Sequence, residues 1–189
     1  MQRLVCFGDS ITARNEGYSE SMLTSKLSTQ VKMEIINAGV PGDNSCDAIR
    51  RIEKDVLSYQ PDLVTVLFGA NDAAFHKTVS LETYKQNMTD IVNLIGPEKT
   101  ILISPAPVDE SKQFARSNEV LSTYANVVQQ VANQTGSHYI DLFKTMFSRV
   151  DYKEILKGEL DDGLHFGEKG YDLLAEFINK KINEIVGES

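Results

Sequence analysis

Short apolar runs alternate along the chain with longer stretches whose apolar residues recur every three or four positions, the periods of strand and helix. Leu4 to Phe7 is the first run, and Gly8 breaks it at once. Tyr18, Met22, Leu23 and Leu27 then mark a helix. Met33 to Ala38 predicts a second strand, ended by Gly39 and Pro41, and Ile49, Ile52 and Val56 line one face of the next helix. Leu63 to Phe68 is apolar on both faces, the signature of a central parallel strand. Tyr84, Met88, Ile91, Val92 and Ile95 keep helical spacing as far as Gly96-Pro97. Thr100 to Ile103 reads as a fourth strand, cut off by Pro105 and Pro107. Leu121, Tyr124, Val128 and Val131 carry the longest helix, and His138 to Ile140 a short fifth strand. Tyr171, Leu174, Ile178, Ile182 and Ile185 form one stripe of a C-terminal helix. The segment from Asp151 to Asp162 is the least regular.

Strands alternating with helices predict βαβ units with right-handed crossovers, hence an α/β fold built as a three-layer α/β/α sandwich. The 189 residues hold no repeat or linker, which suits a single domain over 1–189. A chain this long buries roughly 70% of its unfolded surface. Its 41% hydrophobic and 24% charged residues are those of a soluble globular protein. No apolar run approaches the roughly 20 residues of a membrane span. The N-terminus runs straight into a strand without the pattern of a secretory signal, so a cytoplasmic location is expected. Cys6 and Cys46 do not make a disulfide framework; Cys6 reads as core, and Cys46 opens a helix with no histidine close in sequence. The formal net charge of −8 repels phosphate backbones and anionic membranes, and no Lys/Arg cluster offsets it. A small neutral substrate fits that surface better than nucleic acid.

A parallel sheet gathers its strand-to-helix loops at one edge, where ligands bind in folds of this class. Four such loops carry candidate chemistry. Ser10 follows the first strand, and is either a helix cap or a nucleophile that needs a base from elsewhere. His165 stands three residues after Asp162 across a Gly-Leu turn. That spacing lets the carboxylate fix the imidazole tautomer and leaves Nε2 free to take the serine proton. Gly39, without a Cβ, either turns the chain or lets its N–H approach a ligand. Asn71 is either a turn residue or, with the amides of Ser10 and Gly39, one of three donors around an oxyanion. His76 and His138 lack an acid at a fitting spacing, so His165 is the better base, while Asp9 supports the turn. No Cys/His cluster has zinc spacing, and no metal or cofactor is expected.

These blocks resemble the SGNH hydrolases, also called the GDSL lipase/esterase family. The matching stretches are Gly8-Asp9-Ser10-Ile11-Thr12, Asn37 to Asp43, Gly69-Ala70-Asn71-Asp72 and Asp162-Gly163-Leu164-His165, in the family's order across nearly the whole chain. Ile11 stands where the family name has leucine, and Phe166 where members often carry proline. The resemblance implies a flavodoxin-like fold with a five-stranded parallel sheet ordered 2-1-3-4-5. It also implies a catalytic trio of Ser10, Asp162 and His165, and an oxyanion hole of Ser10, Gly39 and Asn71. The wording from Phe68 to Ala73 looks most like the branch that acts on short acetate esters such as isoamyl acetate. The expected activity is hydrolysis of small acetyl-type esters through an acyl-enzyme. Its rivals are an acyl-CoA thioesterase or lysophospholipase with the same machinery, a carbohydrate acetylesterase, more often secreted, and a flavodoxin-like binding module without turnover.

Overall fold

The computed structural model describes residues 2–187. Five strands form one parallel sheet: β1 (Arg3–Gly8), β2 (Glu34–Gly39), β3 (Leu63–Leu67), β4 (Thr100–Ile103) and β5 (His138–Ile140). Their order is β2-β1-β3-β4-β5, as the family resemblance implies. Each strand lies within a residue or so of its apolar run, because a strand buried on both faces has little but apolar side chains to show.

Alternate side chains of one strand feed two separate cores. Val5, Phe7, Val64, Val66 and Leu102 face α3 (Ser45–Asp55), α4 (Leu81–Ile95) and α5 (Asn118–Thr135). Leu4, Cys6, Leu67, Ile101 and Ile103 face the other side. There they meet α1 (Ser10–Ala13), α2 (Met22–Ser28), α6 (Leu142–Phe147), α7 (Tyr152–Ile155) and α8 (Glu168–Gly187). The C-terminal stripe is as expected, with Tyr171, Leu174 and Ile178 fully buried.

One helix differs from expectation. Tyr18 keeps helical spacing to Met22, yet α2 starts only at Met22 and Tyr18 is 59% exposed. Glu16 and Gly17 both have positive φ, and that turn brings the chain to Ser21 before the helix begins. Among the described residues no helix is long and apolar enough to cross a membrane.

The strand order places the site. The chain leaves β1 for β2 on one side and returns to β3 on the other, so β1 is the point where winding reverses. Gly8 is level with both Gly39 and Leu67 in the ladder. The loops that follow β1, β2 and β3 therefore open together around a crevice, and Ser10 lies at its centre.

Candidate active site

Ser10 is the first residue of α1, a helix of four residues. Asp9 caps that helix, its Oδ1 accepting from the Ile11 N–H at 2.9 Å. A residue in the first turn has no intrahelical acceptor for its N–H, and the Ser10 N–H finds none among the described residues. Ser10 thus offers the crevice both a hydroxyl and an amide donor.

The chain returns to this point 155 residues later. Ser10 Oγ lies 2.9 Å from His165 Nε2, and His165 Nδ1 lies 2.7 Å from Asp162 Oδ2. The other oxygen, Asp162 Oδ1, accepts from the Leu164 and His165 amides at 2.9 and 3.0 Å. Burial works against the Asp162 charge, but those two amides and the imidazole outweigh it and hold the carboxyl below its ordinary range. An ionised carboxylate only accepts, so Nδ1 carries a proton. The neutral ring then presents its Nε2 lone pair to the Ser10 hydroxyl. The tight Asp162–His165 turn depends on Gly163, whose φ is +73° and whose missing Cβ would meet the Asp109 carbonyl at 2.8 Å.

Asn71 enters from the loop after β3. Its Nδ2 donates to the Asp43 carbonyl at 2.8 Å and faces Asp9 Oδ2 at 3.5 Å, too long for a strong bond. One amide hydrogen is thus committed to holding the side chain, and the other has only the long contact to Asp9.

Gly39 does not occupy the place expected of it. Its N–H donates to Asn37 Oδ1 at 2.9 Å, so this donor is already used. The glycine instead lets α1 lie against β2, since a Cβ would sit 2.5 Å from the Ala13 nitrogen. Three residues on, the Gly42 N–H has no acceptor among the described residues. Gly42 is bonded to Asp43, whose carbonyl holds Asn71. The Pro41-Gly42-Asp43 signal was present in the same sequence block. What singles out Gly42 is that Asn37 folds back onto Gly39, a contact that only coordinates reveal.

Neither of the other two histidines hydrogen-bonds to Ser10 or Asp162. His138 Nε2 lies 3.3 Å from the Glu98 carbonyl at the sheet's far edge, and His76 stacks edge-on against the exposed Phe75 at 5.4 Å. A cavity of about 440 Å³ between α2 and α8 is lined by Tyr18, Met22, Lys26 and Asp172 and includes none of the site residues. Among the described residues, no group of three or more His, Cys, Asp and Glu could hold a metal ion.

A serine, an imidazole and a carboxylate in hydrogen-bonded series at the carboxyl edge of a parallel sheet define the architecture of a hydrolase. The chain belongs to the GDSL-like Lipase/Acylhydrolase family, whose model matches residues 6–173. It is 32% identical to the human isoamyl acetate-hydrolyzing esterase 1 homolog, over 97% of this chain and 84% of that protein. The isoamyl acetate-hydrolyzing esterase of Saccharomyces cerevisiae is 28% identical over 96% of this chain and 86% of its own. The crystal structure of a lipase/acylhydrolase from Enterococcus faecalis superposes with a TM-score of 0.90 at 34% identity, covering 97% of this chain and 96% of that one. The protein is accordingly a carboxylic ester hydrolase.

Proposed function

We propose that the chain hydrolyses small, short-acyl carboxylic esters of the acetyl type through a covalent ester on Ser10. The observation that carries this reading is the continuous series from Ser10 Oγ to His165 Nε2 at 2.9 Å and from His165 Nδ1 to Asp162 Oδ2 at 2.7 Å. His165 takes the hydroxyl proton as Oγ attacks the ester carbonyl carbon, and the carbonyl π pair moves onto oxygen. The resulting oxyanion is met by the Ser10 N–H, the Asn71 Nδ2 hydrogen that otherwise spans the long contact to Asp9, and the Gly42 N–H. The tetrahedral intermediate collapses, the imidazolium protonates the departing alkoxide, and Ser10 retains the acyl group. Water, deprotonated by Nε2, attacks this ester in turn. Its collapse releases the carboxylic acid and returns the proton to Oγ. Asp162 remains ionised throughout and stabilises the imidazolium.

The acetyl preference is supported by the human and yeast relatives, which are isoamyl acetate-hydrolyzing esterases by name, and by the Phe68 to Ala73 sequence. A series of p-nitrophenyl esters tests it: kcat/KM is expected to be highest for acetate and to fall with acyl length. A higher kcat/KM for acyl-CoA thioesters would transfer the protein to the thioesterase reading. A fluorophosphonate probe should label wild type and not Ser10→Ala, and that variant should lose about 10⁶ in kcat. Variant activity within tenfold of wild type would remove Ser10 from its role. Asn71→Ala should lower kcat by about 10²–10³; a rise in KM alone would make it a binding residue.

A further inference from the structure

Arg51 lies on α3, away from the trio, yet its guanidinium reaches three pieces of the sheet's carboxyl edge. Nε donates to Asp43 Oδ2 at 2.6 Å, Nη2 to the Gly8 carbonyl at 2.9 Å and Nη1 to the Ala38 carbonyl at 2.8 Å. Nη1 also reaches Asp55 Oδ2, one helical turn on, at 3.3 Å. The guanidinium carbon lies 4.6 Å from the centre of the Phe7 ring, and the side chains of both Arg51 and Asp43 are only 15% exposed. One planar group thus reads the last residue of β1, the penultimate residue of β2 and the loop beyond β2.

The loop residue it grips is the one that positions the oxyanion donor. Asp43 is bound to Arg51 through its side chain and accepts from Asn71 Nδ2 through its main chain, at 2.8 Å. Only two hydrogen bonds and one residue separate Arg51 from the Asn71 carboxamide. Gly42, the other donor on this loop, is directly bonded to Asp43. Lys77, an exposed cation, also reaches this loop, donating to the Gly42 carbonyl at 2.9 Å. A lysine at 51 could meet Asp43 as a point charge but has no fork to hold both carbonyls at once.

We infer that Arg51 is a positioning residue for the reaction, acting through Asp43 to hold Asn71 and Gly42 where the oxyanion forms. This rests on the serine-hydrolase reading given above. Misplacing a catalytic group by about 1 Å can lower a rate by 10²-fold, so a loosened donor should show in kcat. A residue serving stability alone would lower the melting temperature and leave kcat unchanged well below it.

The test is a double-mutant cycle on the full chain with p-nitrophenyl acetate. Arg51→Gln should lower kcat about 10–100-fold with little change in KM, and Arg51→Lys should recover part of the loss. In the Asn71→Ala background the same substitution should have a smaller effect, because one of the two donors it positions is gone and only its hold on Gly42 is left to lose. Asp43→Ala removes the carboxylate but keeps the carbonyl; it should reproduce the Arg51→Gln loss and not multiply with it. Where Arg51→Gln fails to fold, Arg51→Lys and Asp43→Ala carry the same comparison. Effects of Arg51 and Asn71 that multiply fully, or variants with lower melting temperature and kcat within twofold of wild type, would overturn the inference. Wild type that neither turns over the ester nor takes the fluorophosphonate would instead sink the hydrolase reading, before any variant is measured.

Discussion

Asp9, one residue before Ser10, is 2% exposed and does two things at once. It caps α1, and it brings a carboxyl into a setting that disfavours charge. Burial pushes that carboxyl up to about 7; the Ile11 amide opposes the rise, Asp72 adds to it, Arg116 opposes it and Asp43 adds to it. The folded value therefore lies above that of the unfolded chain, near 4. Between those two pH values the unfolded chain has released a proton that the folded chain still holds. Asp9's contribution to stability is thus fully present below about pH 4, declines as pH rises and levels off above about 7. Asp9→Asn keeps a cap acceptor and cannot ionise. Its stability relative to wild type, from urea unfolding, should rise between pH 5 and pH 7.5 by on the order of a few kcal/mol. A difference constant across that range would return the Asp9 carboxyl to ordinary behaviour. The trio was legible in the chain because each member leaves a local mark: a serine after an apolar run, an aspartate three residues before a histidine. Gly42 and Arg51 left no such mark. A backbone N–H becomes a donor to substrate only if no side chain claims it, and an arginine on a helix looks like any solvated charge until its acceptors are known.

Between elements, the close approach of α1 to β2 decides where Ser10 points. Gly39 is the contact: an added Cβ would come within 2.5 Å of Ala13 N and 2.9 Å of Ala13 Cα and the Thr12 carbonyl carbon. All three are backbone atoms, which cannot swing aside as a side-chain tip can. Gly39→Ala should therefore displace α1, lowering stability by about 1–3 kcal/mol or more and reducing kcat with it. An N–H donor role alone predicts otherwise, since alanine keeps the N–H. A variant of wild-type stability and kcat would show that α1 does not need this contact. The strands were readable because burial on both faces leaves unbroken apolar runs, from Leu4 to Phe7 and from Leu63 to Phe68. The start of α2 was not readable. Tyr18 has the right spacing, but the positive φ at Glu16 and Gly17 turns the chain, and spacing carries no record of a turn made by a glutamate.

For the whole molecule, the difficulty is to hold the start of the chain against its end to within a hydrogen bond. The sheet alone does not do this, because His165 precedes α8 and belongs to no strand. Cross-ties from two directions supply the rest. Between Ile103 and α5, the chain reaches the base turn through the Asp109 N–H, which donates to the Gly163 carbonyl at 2.8 Å. Further along the same connection, Arg116 Nε donates to the Ala70 carbonyl at 2.6 Å, and the Phe75 N–H donates to the Ala115 carbonyl at 2.9 Å. One connection thus binds the Asn71 turn to the Asp162–His165 turn. From the other direction, Tyr171 on α8 sends its hydroxyl to the Ile11 carbonyl at 2.7 Å, inside the helix that carries Ser10. Tyr171 is fully buried, and its ring packs on Phe166, next to His165, with centroids 5.5 Å apart. The order of the four motifs foretold that the two ends meet, but these ties join segments of no recognisable pattern and emerge only from the folded chain. Tyr171→Phe isolates the last of them. Phenylalanine retains the ring and its packing, so the change removes one hydroxyl and strands the Ile11 carbonyl in a buried place without its donor. The expected loss is about 1–3 kcal/mol, seen as a lower urea midpoint with an unchanged slope. Because the freed carbonyl is one residue past Ser10, kcat should fall as well, while KM stays near its wild-type value. An unchanged midpoint and an unchanged kcat would show that α1 keeps its place without this hydroxyl, held by the packing of α2 on α8 and by ties such as Lys26 Nζ to Asp172 Oδ1 at 2.5 Å.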